Sequence, residues 1–123
     1  MGPYQLQAAI AAVHGEATVA ADTDWWQIVG LYDALHSFQP TPVVALNRAA
    51  ALAMAAGPEA GLVAMAELAG ALVDYHLFHA ARADLLRRLG RSAEAATAYR
   101  EALARVTNPV ERAYLEGRLR EVG

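Results

Sequence analysis

The sequence predicts an all-α protein whose helices pair as antiparallel hairpins. Three observations support this prediction: the composition, the placement of proline and glycine, and an internal repeat. Hydrophobic residues make up 56% of the 123 residues and charged residues 19%. Alanine is the most frequent apolar residue, and it is both the best helix former and small enough for close helix contacts. No window alternates polar and apolar residues as a strand would.

Proline, glycine and capping residues divide the chain into about seven predicted helices. The predicted ranges are 3–19, 24–38, 42–56, 58–70, 75–89, 92–106 and 109–121. Pro3, Pro42, Pro58 and Pro109 stand in first helical turns, where the missing N–H has no intrahelical partner. Predicted N-caps are Asp24, Thr41 and Asn108, and predicted helix ends are Gly57 and Gly90. The short connections favour antiparallel neighbours.

Residues 42–70 and 76–106 align at a shift of 34 residues. That is the length of a tetratricopeptide repeat. The second copy fits the pattern better, with small, large, turn, small, aromatic and small residues at Ala83, Leu86, Gly90, Ala95, Tyr99 and Ala102. One hairpin cannot bury its apolar face alone, so the repeat predicts a tetratricopeptide-like α-solenoid with helix 109–121 as a cap.

Charge and cysteine content exclude several classes of function. The net charge is −3, divided as −6 over residues 1–80 and +3 over residues 81–123, which is far from a nucleic-acid footprint. The absence of cysteine excludes disulfides and thiolate metal sites. No segment resembles a signal peptide or a membrane span, so we expect a cytoplasmic protein.

Several sequence blocks together resemble the C-terminal extension of bacterial extracytoplasmic-function (ECF) RNA polymerase sigma factors. The blocks are GPYQLQAAIAAVH (2–14), TDW (23–25), IVGLYDAL (28–35), PVVALNRAAA (42–51), GPEAGL (57–62) and ARADLLRRLGR (81–91). Trp26 and Ala50 depart from the expected pattern, where relatives carry proline and valine. In that group a tetratricopeptide-like extension follows the promoter-recognising sigma domains, which this sequence lacks.

The resemblance implies a regulatory or protein-interaction domain that acts in control of transcription initiation. Residues 1–123 are then one domain of a longer sigma factor, and the expected partners are the sigma core domains of the same chain, RNA polymerase, or both. We expect no direct DNA contact and no membrane contact. Two alternatives stay open: a scaffold that binds a peptide or helix unrelated to transcription, and a small-molecule sensor.

The first helices of such repeats line a concave groove. The predicted partner-binding groove comprises Ile10, Val13, Val43, Leu46, Met54, Leu77, Asp84 and Arg87. Because this lining is largely apolar, we expect it to hold a helix, and an exposed groove of this kind also favours a homo-oligomer. Substitution of Leu46 by Asp is expected to weaken binding while the helical signal stays intact.

Polar contacts with a partner are predicted at a second set of residues, Trp26, Arg48, Arg82, Arg88 and Arg91. Arg48 is alternatively a structural ion pair with Asp33 or Glu16, and the arginines near the second repeat are alternatively a solvated face.

The remaining candidates for chemistry are weak. His76 and His79 share a helix face, but no third ligand is fixed by spacing, so we expect no metal. The sequence contains no nucleophile motif, phosphate loop or dinucleotide fingerprint. We therefore expect no cofactor and no enzymatic activity.

Overall fold

The computed structural model describes residues 2, 3, 5–7, 9, 10 and 23–123. Six helices have defined bounds: α1 (Trp25–Phe38), α2 (Pro42–Ala56), α3 (Pro58–Ala66), α4 (His76–Arg88), α5 (Ser92–Arg105) and α6 (Pro109–Val122). Residues 3, 5–7, 9 and 10 are also helical, and the described residues contain no strand. The all-α prediction is confirmed.

The helices begin where their capping residues can satisfy the first backbone N–H groups. The Asp24 carboxylate accepts from the Gln27 N–H at 3.0 Å, and the Thr41 hydroxyl accepts from the Val44 N–H at 3.2 Å. The Asn108 side chain accepts from the Val110 and Glu111 N–H groups at 2.8 and 3.1 Å. All three predicted N-caps are confirmed, and each relieves a donor that the helix cannot satisfy.

Gly57 and Gly90 end helices as predicted, with φ values of +106° and +74°. After α4, the Gly90 N–H donates to the Arg87 carbonyl and the Arg91 N–H donates to the Leu86 carbonyl, both at 3.0 Å. This pair of bonds is a Schellman motif, and it requires a left-handed residue between the helix and the next segment.

The chain divides into two compact units, Met1–Ala64 and Met65–Gly123. In the first unit, α1 packs along α2. Its core includes Ile28, Val29 and Ala51 in one cluster and Leu35 with Val44 in a second. Trp25 and Tyr32 are half-buried against this core as predicted, whereas Phe38, which was expected in the same stripe, is 52% exposed.

In the second unit, α5 packs along both α4 and α6. The repeat residues Ala83, Leu86, Ala95, Tyr99 and Ala102 are all buried here, each at most 1% exposed. Alanine at the crossing points lets the helices approach closely, and Tyr99 fills the space between them. From α6, only Leu115 is buried.

The predicted hairpin 42–70 differs from the structure. Among the described residues α2 and α3 do not pack along each other, unlike α1 with α2, α4 with α5 and α5 with α6. A single residue, Gly57, joins them, and α3 ends at Ala66 rather than at residue 70. Residues 67–74 form successive turns that include Gly70, a poor helix residue, so too little helix is present for a full hairpin. None of the described helices is long and apolar enough to cross a membrane.

Candidate functional site

One face of α2 carries an exposed stripe without charge. Val43, Asn47, Ala50 and Met54 are all exposed, and their spacing of three or four residues places them on one side of the helix. Val43 and Met54 are 39% and 38% exposed. Val44 and Ala51 on one side of the stripe and Ala53 on the other are buried, each turned from it by roughly 70–90° around the helix. We call Val43, Asn47, Ala50 and Met54 the α2 stripe.

The α2 stripe includes the predicted groove residues Val43 and Met54 but not Leu46 or Ile10. Leu46 is 4% exposed and Ile10 is 7% exposed, so both lie inside the first unit and offer no surface to a partner there. Every face of α2 carries apolar residues, and the sequence alone therefore misplaced the exposed face by one residue at Leu46. Val13 lies outside the described residues.

The remaining predicted groove residues belong to α4. Leu77 is 40% exposed, but Asp84 and Arg87 are half-buried and take part in a polar network within the second unit. A shift of 34 residues carries the α2 stripe onto Leu77, Ala81, Asp84 and Arg88. The α4 surface at these positions is therefore mixed in charge, whereas the α2 stripe is uncharged.

Tyr99 and Asp84 form the centre of the polar network. The buried Tyr99 hydroxyl donates to Asp84 Oδ1 and accepts from Arg87 Nε at 3.1 Å. The Tyr114 hydroxyl donates to the same carboxylate at 3.2 Å, so Asp84 joins α4 to both α5 and α6. Arg118 lies over the Tyr114 ring, with its Cζ 5.4 Å from the ring centroid. Asp84 and Arg87 thus have structural partners that the groove assignment did not include.

The environment of Tyr99 favours its neutral form. Burial raises its pKa, and so does the hydrogen bond that it donates to the Asp84 carboxylate, while the Arg87 hydrogen bond acts in the opposite direction. The result is a pKa of about 12. The hydroxyl therefore stays protonated and remains a structural donor at neutral pH.

Two predicted contact residues lie in the first unit. Trp26 is 60% exposed, as expected for the aromatic residue on a different face from Trp25. Arg48 forms an ion pair with Asp33, which is the structural alternative that the sequence left open. This pair joins α1 to α2 at partly exposed positions, where an ion pair contributes little more than about 1 kcal/mol.

The other predicted arginines surround the turn between α4 and α5. Arg91 donates to both carboxylate oxygens of Glu94, at 3.0 and 2.7 Å. Arg82 lines an open cleft of about 280 Å³ together with Ala93, Glu94 and Thr97. Arg88 is exposed. The Arg91 hydrogen bonds, with a smaller contribution from the Arg82 charge, lower the pKa of Glu94.

The two histidines of α4 each have a partner of their own. His76 Nε2 lies 2.8 Å from Glu111 Oε2, and His79 Nε2 lies 2.7 Å from the Val73 carbonyl oxygen. Within the described ranges, no group of three or more His, Cys, Asp or Glu side chains could hold a metal ion.

Sequence reasoning noted Asn47 as a polar residue in an apolar helix but left it and Ala50 out of the predicted groove, and it missed Glu94 and Thr97 in the cleft. It also missed the contact between Tyr99 and Asp84. A signal for that contact was present, because a buried tyrosine hydroxyl needs a partner and Asp84 is the carboxylate on the preceding helix. The signal for Ala50 was the 34-residue shift, since its equivalent, Asp84, is one of the predicted groove residues.

Comparison with known proteins identifies one relative of much greater length. The chain is 48% identical over 118 residues to an uncharacterized protein of Rhizobium meliloti (strain 1021). The match covers 96% of this chain but only 28% of the relative. No family model matches the chain, and no solved structure does so.

Proposed function

We propose that this chain is a helical protein-interaction module of an ECF sigma factor and acts in control of transcription initiation. Its partners are the sigma core domains or RNA polymerase, and its location is the cytoplasm. The observation that carries the proposal is the α2 stripe, an exposed and uncharged helix face in a chain whose sequence blocks resemble the sigma-factor extension.

The α2 stripe has the properties of a helix-docking surface. Its four residues span twelve positions, which is eleven residue steps or about 16 Å of helix. Ala50 is small enough to let another helix approach closely, and Val43 and Met54 on either side supply apolar area. Asn47 adds a donor and an acceptor that fix the register of a partner. An amphipathic helix that places its apolar face along the stripe fits this surface.

The proposal includes tetratricopeptide-like stacking of the helices. Three pairs of residues related by the 34-residue shift have similar exposure, which supports this arrangement. Ala49 and Ala83 are both fully buried, Met65 and Tyr99 are at most 1% exposed, and Val43 and Leu77 are both exposed. These three pairs match as in a repeat, whereas Asn47 and Ala50 are exposed and their counterparts Ala81 and Asp84 are half-buried.

The length of the relative agrees with this proposal. The matched stretch is 28% of the Rhizobium meliloti protein, so in that protein it belongs to a much longer chain. An interaction module that regulates other domains of its own polypeptide requires such a context.

Co-expression tests the proposal directly. The 123-residue chain and the sigma domains encoded with it are produced as separate polypeptides, and affinity purification of one is followed by size-exclusion chromatography. We expect a stable complex that also alters transcription by RNA polymerase from a cognate promoter. A chain that elutes alone and leaves transcription unchanged, with or without its sigma domains, would contradict the proposal.

A further inference from the structure

Within the described part of the chain, Arg82 is a half-buried cation that acts on Glu94 only through its charge, from beyond ion-pair distance. It makes no hydrogen bond there and has no carboxylate within ion-pair distance. Desolvation of a charge is unfavourable unless a partner compensates for it. The guanidinium carries five N–H donors in a planar fork that suits a carboxylate.

The acidic residue nearest to Arg82 is already engaged. Glu94 lines the same cleft, but both of its carboxylate oxygens accept hydrogen bonds from Arg91 at 3.0 and 2.7 Å. This bidentate pair is the strong form of an ion pair, so Arg82 acts on Glu94 only at longer range and its N–H donors have no acceptor in the described part of the chain.

The cleft beside Arg82 has room for a side chain from another molecule. Its volume is about 280 Å³, and Ala93 and Thr97 contribute small side chains to its wall. Ligand pockets begin at roughly 300 Å³, so this open cleft suits one or two side chains better than a whole cofactor. The surrounding segment 82–94 carries four arginines against two carboxylates, which leaves a formal charge of +2 that attracts an acidic segment.

We propose that this cleft binds a carboxylate side chain from an acidic segment of a partner protein, held by the Arg82 guanidinium. The site is separate from the α2 stripe. On α4 it lies about 140° around the helix from Leu77, since each residue turns the helix by about 100°. The cleft and the α2 stripe share no residue, so a substitution of Arg82 alters no residue of the proposed helix-docking surface.

Fluorescence anisotropy with the full 123-residue chain tests the cleft. The probe is a short fluorescein-labelled peptide rich in glutamate, and its glutamine counterpart is the comparison. We expect the glutamate peptide to bind more tightly and Arg82→Gln to weaken its binding at least about tenfold, the effect of losing charge-assisted hydrogen bonds. The control Arg120→Gln removes the same charge from an exposed position of α6 and should change the affinity little.

Three results would overturn the proposal. Equal binding of the two peptides would show that no carboxylate is recognised. Equal weakening by Arg82→Gln and Arg120→Gln would reduce the effect to diffuse electrostatic attraction. Displacement of the peptide by inorganic phosphate, but not by acetate at matched ionic strength, would make the cleft a site for free phosphate. A chemical-shift change at the Arg82 Nε–H on peptide addition would support the proposal.

Discussion

Tyr99 connects two helices through a hydroxyl that both donates and accepts. Its ring is fully buried, and its hydroxyl lies between Asp84 and Arg87 of the preceding helix. Since Asp84 also accepts from Tyr114, one carboxylate holds three helices together. The network is structural, and it explains why two predicted groove residues face other parts of the second unit.

Removal of this hydroxyl should destabilise the fold. We expect Tyr99→Phe to lower the free energy of unfolding by about 1–2 kcal/mol, because Arg87 loses an acceptor and Asp84 loses a buried donor. Tyr114→Phe is the matched control, since its hydroxyl meets the same carboxylate from a position 46% exposed. The control should change stability by no more than about 0.5 kcal/mol in urea denaturation.

The difference in stability between the wild type and Tyr99→Phe should depend on pH, because the pKa of Tyr99 differs between the folded and unfolded states. The folded value of about 12 lies above the unfolded value, which is about 10. The stabilisation is therefore fully present below about pH 10 and is lost as the pH rises towards 12. The stability gap between wild type and Tyr99→Phe should narrow over that interval. A gap that stays constant there would contradict the assigned environment.

At the scale of the element, two glycines illustrate opposite backbone requirements. Gly90 has φ +74° in the Schellman motif, whereas Gly30 lies within α1. A Cβ at either position would meet no atom within 4 Å. Differences between the two substitutions therefore reflect the backbone rather than steric clashes.

Alanine in place of Gly90 and of Gly30 should change the free energy of unfolding in opposite directions. Gly90→Ala should destabilise the protein by about 1 kcal/mol or more, because a left-handed conformation is unfavourable for residues with a Cβ. Gly30→Ala should stabilise it by about 0.5–1 kcal/mol, because alanine is the better helix residue. Urea denaturation of both variants measures the two effects, and a shift of the same sign in both would refute this interpretation.

Helix starts were predictable because their signals are local. Pro42, Pro58 and Pro109 each begin a helix, and Thr41 and Asn108 cap two of them, since the capping atom lies within three residues of its donor. The end of α3 was not predictable to the same accuracy. Residues 67–69 favour helix and Gly70 is the first that does not, so composition places the helix end at residue 70 rather than at Ala66.

Candidate site residues were less predictable because exposure depends on which face packs. In α2 an alanine or larger apolar residue occurs on every side, so periodicity does not distinguish the buried Leu46 from the exposed Asn47 and Ala50. The ion pair between Arg48 and Asp33 was foreseeable, because Arg48 is the only cation in the first 80 residues.

At the scale of the whole molecule, the second unit has a core of its own. Leu72, Phe78, Leu86, Tyr99 and Leu115 are all buried in it, and α5 packs against helices on both sides. Helix α6 adds Leu115 and two polar contacts with α4, His76 to Glu111 and Asp84 to Tyr114.

The second unit should therefore fold when residues 65–123 are produced alone. We expect helical circular dichroism and a cooperative urea transition, although a domain of this size is only marginally stable. The shorter fragment 65–108 lacks α6, and its transition should lie at lower urea concentration because Leu115 and both polar contacts are missing. A non-cooperative transition for residues 65–123 would mean that this unit depends on the first.

The central claim is that the α2 stripe is a docking surface for a helix. A matched pair of substitutions that replace alanine by glutamate tests this claim most directly. Ala50→Glu places a charge in the stripe, and Ala104→Glu places the same charge on an exposed site of α5. Both positions are helical and exposed, so circular dichroism should stay unchanged in both variants, unlike for Leu46→Asp, which would disrupt the core.

The measurement is the affinity of each variant for the separately expressed sigma domains. The account predicts that Ala50→Glu weakens the complex at least about tenfold, because burial of an unpaired charge costs more than about 1.4 kcal/mol. Ala104→Glu should bind as the wild type does. Unchanged affinity for Ala50→Glu, or an equal loss in both variants, would contradict the assignment of the docking surface to α2.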